Sequence, residues 1–186
     1  DSGLGSVSIV GNELVYDPAG NYDSLADGQN AEVVVSYTVT DATGETSQST
    51  ATISVTGTTD APVLGVVSGT TDQNTALTVD VLASASDPEG DVLSLSNVSL
   101  DSGLGLVSIV DNELVYDPAG NYDSLAGGQS VEVVVSYTVT DATGETSQST
   151  VSISVTGANY APVLAVVSDT TDQDTSLTVD VLASAS

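Results

Sequence analysis

The chain has 186 residues, of which 26 are Asp or Glu and none is Lys, Arg or His, for a formal net charge of −26. Cys, Met, Trp and Phe are absent too. This leaves no electrostatic grip on phosphate, so nucleic acid and membrane insertion are not expected. It also leaves no Ser-His-Asp or Cys-His nucleophile, no usual zinc ligand, no disulfide and no lysine amine for a Schiff base or isopeptide link.

The acidity does not imply disorder, because acidic disordered chains are poor in apolar residues, whereas this one is 40% hydrophobic and rich in Val, Ile and Thr. No apolar run approaches the ~18 residues of a membrane span. No signal peptide is visible, and an opening at Asp1 reads as a piece cut from something longer.

Asp1-Ser2-Gly3-Leu4-Gly5 recurs as Asp101-Ser102-Gly103-Leu104-Gly105, and from there more than four positions in five repeat to the C terminus. A period of 100 residues is far above that of solenoids and large enough for each unit to hold its own core. In chain order from Ala61-Pro62, where a missing N–H suits the start of an edge strand, the pattern predicts strand A near 61–67. Strand B follows, with Leu77, Val79 and Val81 alternating with Thr78 and Asp80. The turn Asp87-Pro88-Glu89-Gly90-Asp91 leads to C near 92–99, then D near 105–110 and E near 113–117. In F, Val131, Val133, Val135, Tyr137 and Val139 alternate with polar residues, and in G, Val151, Ile153 and Val155 do the same. Seven strands without a helical period predict an all-β fold of tandem Greek-key β-sandwiches, immunoglobulin- or cadherin-like.

In this frame residues 61–160 are a complete repeat. Residues 1–60 are strands D to G of the one before, and 161–186 are strands A and B of the one after. A permuted domain starting at residue 1 satisfies the same pattern. The first frame predicts exposed edges at both ends, with 161–186 of one copy lying head to tail against 1–60 of the next. Tyr37 and Tyr137 have inward parity on F, and Tyr22 and Tyr122 are expected to cover the open end of the sandwich.

Several stretches in this order resemble the cadherin-like and VCBS-type tandem repeats of giant bacterial RTX adhesins. They are Tyr16-Asp17-Pro18-Ala19-Gly20-Asn21-Tyr22, Val35-Ser36-Tyr37-Thr38-Val39-Thr40-Asp41, Thr59-Asp60-Ala61-Pro62-Val63 and Ser86-Asp87-Pro88-Glu89-Gly90-Asp91. The last departs in having Glu89 where Asp is usual. The resemblance implies a non-catalytic extender: near-identical domains in series, exported by type I secretion to the cell surface, stiffened by Ca²⁺ at the junctions and projecting a distal ligand-binding region.

The carboxylates point to calcium independently. In a sandwich of this order the BC loop (Asp87, Glu89, Asp91), the DE turn (Asp111) and the FG turn (Asp141, Glu145) share the entry end, with Asp60 in the linker ahead of them. The preceding unit brings Asp17, Asp23 and Asp27 to its exit end, and Asp72 in the AB loop would serve the following junction. Two carboxylates ~5 Å apart repel by about 3 kcal/mol at an effective dielectric near 20, and the chain has no cation of its own. Ca²⁺ accepts six to eight hard oxygens in flexible geometry, which suits such a set better than Mg²⁺ or a soft metal. Asp in turns is also ordinary turn chemistry, and Asp80, Asp180, Glu13, Glu113, Glu32 and Glu132 on or beside strands are read that way. At the next linker Thr58-Thr59-Asp60 becomes Ala158-Asn159-Tyr160, so a linker carboxylate is replaced by a phenol.

Three functions compete: a calcium-stiffened spacer of an extracellular adhesin, a carbohydrate- or cell-binding module, and a repeat of an extracellular filament or surface layer. Near-identity of the repeats favours the spacer, whose task is length.

Overall fold

The computed structural model describes residues 5–182. Its centre is the antiparallel pair β12 (Ser130–Thr140) and β13 (Thr146–Thr156), in register from Ser130↔Thr156 to Thr140↔Thr146. Val133, Val135, Tyr137, Val139, Val151, Ile153 and Val155 point one way and are all buried, while the Ser and Thr between them face out. β-Branched side chains suit such a pleated, half-buried surface. β9 (Ser94–Ser102) lies antiparallel beside β12 and β6 (Val67–Asp72) parallel beside β13, giving a four-stranded sheet ordered β6-β13-β12-β9. A three-stranded sheet, β10 (Leu106–Val110), β11 (Glu113–Asp117) and β7 (Leu77–Val79), supplies Leu114, Tyr116 and Val79 to the same core. A short ribbon joins β5 (Val63–Leu64) to β8 (Ala85–Ser86).

These strands give residues 63–156 the expected all-β sandwich, with β6, β7 and β9 to β13 as strands A to G. The segment expected as strand A near 61–67 is split, with Val63–Leu64 paired to β8 and a second part paired to β13. Its ladder with β13 starts at Val67, after Pro62, which has no donor to give, and after a fully solvated Val66, 98% exposed.

The first region repeats the local pairing. β1 (Ser6–Val10) pairs β2 (Glu13–Asp17), and β3 (Asn30–Thr40) pairs β4 (Thr46–Thr56), in the registers of β10–β11 and β12–β13. Among the described residues each hairpin is a two-stranded sheet by itself. Tyr37 is therefore 36% exposed where Tyr137 is 1%, and Val39 59% where Val139 is 0%. The inward parity expected of the F-strand tyrosines ends in a core only at Tyr137. Described residues beyond β13, 157–182, contribute no strand. Asp1–Leu4 and Ala183–Ser186 of the expected terminal strands lie outside the described residues.

Tyr116 and Tyr122 hold the segment before β10. The Tyr116 hydroxyl donates to the Leu104 carbonyl at 2.7 Å, and the Leu104 N–H donates to the Tyr122 hydroxyl at 2.7 Å. Tyr122 is 6% exposed, so it covers the sandwich end as expected. Gly105, at φ +134°, is required by this contact: a Cβ there would stand 2.6 Å from Tyr116 Cε2.

The Tyr137 hydroxyl is buried without a hydrogen-bond partner. An orphaned polar atom costs about 1–3 kcal/mol, so Tyr137→Phe is expected to raise stability by about 1 kcal/mol. The urea midpoint of the variant checks this; an unchanged or lower midpoint would show the hydroxyl to be satisfied.

Candidate metal centre

Three loops meet at the entry end of the 63–156 sandwich, and the registers bring them there. Thr140 pairs with Ser94, so the turn after β12 rises beside the loop that precedes β9. Asn112, at φ +67° in the β10–β11 turn, accepts the Leu95 N–H at 2.7 Å and fixes that turn to the same end. Asp87, Glu89, Asp91, Asp111, Asp141 and Glu145 thus share one end, as the strand order predicted.

Within it, Asp87 organises its own loop. Its Oδ1 accepts the N–H groups of Glu89 at 3.0 Å and Asp91 at 3.1 Å, wrapping the chain around the carboxylate with Gly90 at φ +85°. Glu89 Oε2 accepts the Asp60 N–H at 3.4 Å, tying the linker forward onto the repeat that follows it. Asp60, Asp87 and Glu89 are therefore neighbours, and burial, with Asp87 and Asp60 adding repulsion, pushes the Glu89 carboxyl above its ordinary range despite the N–H contacts.

Asp141, 7% exposed, does the same for the β12–β13 turn. Its Oδ1 accepts the N–H groups of Thr143, Gly144 and Glu145 at 2.7–2.9 Å and the Thr143 hydroxyl at 2.8 Å. Burial opposes ionisation, but those donors outweigh it and hold the carboxyl below its ordinary range. Glu145 is exposed and contributes its carbonyl to the Asp141 N–H.

The loop 87–91 leaves two oxygens over and the β12–β13 turn leaves one. Asp87 Oδ2, Glu89 Oε1 and Asp141 Oδ2 are buried without a hydrogen-bond partner. The chain has no Lys, Arg or His to satisfy them. Among the described residues no three acidic side chains converge closely enough to grip an ion as they stand. The donor chemistry nonetheless fits a hard cation: anionic oxygens already desolvated, on loops fixed by their own backbone bonds.

The other expected ligands are placed differently. Asp17 Oδ1 accepts the Ala19 N–H at 2.9 Å inside its own turn, and Asp23 and Asp27 are exposed on the segment that follows. Asp72 accepts the Asn74 N–H at 2.9 Å, and that contact together with Thr75 holds its carboxyl below the usual range.

The far end of the sandwich holds a cluster that the sequence pattern did not reveal. Asn74 accepts the Tyr160 hydroxyl at 2.6 Å and donates its Nδ2 to Asp123 Oδ1 at 2.9 Å, the amide orientation that faces donor to acceptor. Gln73 beside it, 2% exposed, donates to the carbonyls of Tyr122 and Leu125 at 3.2 Å. Both linkers start with a glycine bonded back to its own repeat, Gly57 to Gln29 and Gly157 to Gln129 at 2.8 Å; Tyr160 adds a side-chain tie to that same repeat, and the Asp60 N–H one to the loop ahead. The signal was present in two places: the exchange of Asp60 for Tyr160, and Asp123 standing where Asp23 stands in the first repeat.

Asp141 gives a pH prediction. Its folded-state acidity is increased, so its contribution to stability is complete above the unfolded value and disappears as pH falls through the folded one. Asp141→Ala should lower stability near pH 7 and flatten the acid limb of a plot of urea midpoint against pH. Glu89 works in the opposite sense, and without a cation its ionisation lowers stability as pH rises from the unfolded value through the raised one.

The sequence model of the bacterial cadherin-like domain matches residues 59–157, more than half of the chain. The chain belongs to the bacterial cadherin-like domain family. Such domains are adhesion or extender modules, typically extracellular and non-catalytic. Comparison with curated proteins returned no match.

Solved structures similar to this cadherin-like chain include human mucin-like protocadherin EC1-2, at 18% identity over 84% of this chain and 80% of that one, TM-score 0.41. The human desmocollin-1 ectodomain shares 16% identity over 89% of this chain and 33% of its own, TM-score 0.44. A nucleoside hydrolase-related hypothetical protein from Saccharophagus degradans, associated with carbohydrate metabolism, shares 23% identity over 52% of this chain, TM-score 0.38. The cadherin-like chain spans about a quarter of that protein's length (26%). No helix among the described residues is long and apolar enough to cross a membrane.

Proposed function

We propose that this chain is a run of spacer repeats from a long extracellular bacterial adhesin, with Ca²⁺ held where one repeat meets the next. The observation that carries the reading is the set of buried, unpartnered carboxylate oxygens on Asp87, Glu89 and Asp141 in a protein without a cationic side chain. Asp87, Glu89 and Asp91 would hold the ion with Asp60 from the linker, and Asp141 from the neighbouring turn. When bound, the ion supplies the positive charge that lets these carboxylates stay ionised side by side. Asp60 belongs to the linker and Glu89 to the repeat after it, so one ion held by both restricts their relative motion. Asp17, Asp23 and Asp27 add negative charge on the preceding unit.

The repeat frame belongs to the same proposal: 1–60 as strands D to G, 61–160 complete, 161–186 as strands A and B. Near-identity between units supports a spacer, because a unit whose task is length is copied without penalty. The resemblance to RTX adhesin repeats supports type I secretion and a distal ligand-binding region.

Small-angle scattering on an array of several repeats tests this. The maximum dimension is expected to grow when millimolar Ca²⁺ replaces chelator, and Asp60→Ala should reduce that growth. Identical scattering profiles in both conditions would reject calcium stiffening.

A further inference from the structure

The two main sheets of the 63–156 sandwich end on β6 and β9 and on β7 and β10. Three of these edges are shaped against pairing with a further strand. β7 has only three residues. β9 meets β12 with register shifts at two places and carries Asp101 near its end. β6 contains Gly69 and ends on Asp72. β10 has none of these devices. Leu106-Val107-Ser108-Ile109-Val110 has no charge, no proline and no glycine, in a chain with 26 acidic residues, and it pairs β11 in unbroken register.

The hairpin fixes which backbone groups of β10 are free. Asp111 and Asn112, the two turn residues, both have positive φ, 51° and 67°, as a type I′ turn requires. The pair flanking such a turn, Val110↔Glu113, exchanges both its hydrogen bonds, and bonded pairs alternate from there along the ladder. Ser108↔Val115 and Leu106↔Asp117 are therefore bonded pairs too, and the N–H and C=O of Val107 and Ile109 point away from β11. No other strand among the described residues pairs with that side. Leu106 and Val110, on the outer face of the same strand, are 64% and 50% exposed.

We propose that β10 pairs antiparallel with β10 of a second copy of this chain, with Ser108 on the two-fold axis. This register uses every free group: Val107 exchanges two hydrogen bonds with Ile109 of the second copy, and Ile109 two with its Val107. Leu106 faces Val110 in a non-bonded pair, where opposed side chains come closest. Asp111 of each copy lies beside Gly105 of the other, so the charges at the strand ends stay apart. A second copy is the occupant because the strand is its own complement. Its apolar residues at 106 and 110, and at 107 and 109, exchange places under the axis, as an isologous contact demands. The first repeat has the same strand with Ser6 in place of Leu106, so repeats differ in how well they pair. One strand pair is a small interface and weak alone, and chains joined at several repeats gain by avidity. The contact uses no cation and does not rest on the calcium reading.

The charge of −26 on each copy opposes association, and salt screens that opposition. Sedimentation of the full chain should show dimer forming at lower protein concentration in about 0.5 M salt than in about 20 mM. Ser108→Asp sets two carboxylates face to face on the axis and should move dimerisation to about tenfold higher concentration or beyond, while Ser108→Thr should not. An unchanged urea midpoint for both variants shows the fold to be intact. Because the chain has no cysteine, Ser108→Cys should give a disulfide-linked dimer under mild oxidation, since a residue opposite itself in a non-bonded pair lies within disulfide reach. Ser99→Cys, exposed on the other sheet, should give little. A chain that stays monomeric at millimolar concentration in high salt overturns the proposal, as does crosslinking at 99 equal to that at 108. So does a Ser108→Asp variant that associates as well as the parent.

Discussion

Addition of about 10 mM Ca²⁺ is expected to raise the melting temperature of this chain by roughly 10–20 °C over its value in chelator. An extracellular-type site with a dissociation constant of about 10⁻⁴ M is then at about a hundredfold saturation. Binding only the folded state contributes about 2.7 kcal/mol, and each kcal/mol moves the midpoint of a domain of this size by about 4–8 °C. The physical source is the set of oxygens on Asp87, Glu89 and Asp141 that burial has stripped of water without giving them a donor. An unfolded chain hydrates them, so they favour unfolding until a cation arrives. Calorimetry in Ca²⁺, in Mg²⁺ and in chelator checks this. The Mg²⁺ trace should lie near the chelator trace, because that ion demands a tighter octahedron than flexible loops offer. Coincidence of all three traces would remove the metal from the account.

Tyr116→Ala is expected to destabilise the 63–156 sandwich by about 3–5 kcal/mol, the usual range for deleting a buried aromatic ring. Tyr116 is completely buried, and its hydroxyl closes the Leu104 carbonyl. Truncation leaves both a cavity and an unsatisfied acceptor, and it releases the segment whose Gly105 packs against the ring edge. Tyr16→Ala, at the matching position of the less covered first region, should cost distinctly less. Urea denaturation of the two variants side by side provides the comparison. Equal losses would mean that the first region has a core as complete as the second.

How legible these features were depends on the range of the interaction. The alternation of Val133, Val135, Tyr137 and Val139 marks strand, face and burial together, because period 2 is a property of neighbouring residues. The places of the hairpin turns after Val110 and Thr140 were legible for the same reason, whereas the registers are seen only in the structure. The strand expected near 61–67 is there at Val63–Leu64, but its sequence does not show that it pairs β8 or that the ladder with β13 begins only at Val67, which a partner eighty residues away decides. In the acidic loops the sequence shows which residues crowd one end. It does not show that Asp87 and Asp141 would each turn one oxygen to their own backbone and strand the other. That division depends on loop dihedrals fixed by Gly90 and Gly144, both at positive φ. The Asp123–Asn74–Tyr160 cluster was marked in the sequence only by the exchange of Asp60 for Tyr160 and by Asp123 matching Asp23, because three loops contribute one residue each and no local pattern links them.

The two linkers give a tandem array two kinds of joint. At 57–60 the Asp60 N–H donates to Glu89 in the acidic loop ahead, and under the proposed function the Asp60 side chain adds its carboxylate to the calcium held there. At 157–160 the chain is fastened behind, by a phenol and an amide that no chelator can remove. An array with both has no single persistence length. Under the proposed function, loss of calcium would loosen the Asp-type joint, while at 157–160 the linker stays clasped to its own repeat through Tyr160. The residue just before Ala-Pro would then decide, joint by joint, how far the stiffness of such a fibre follows the calcium around it.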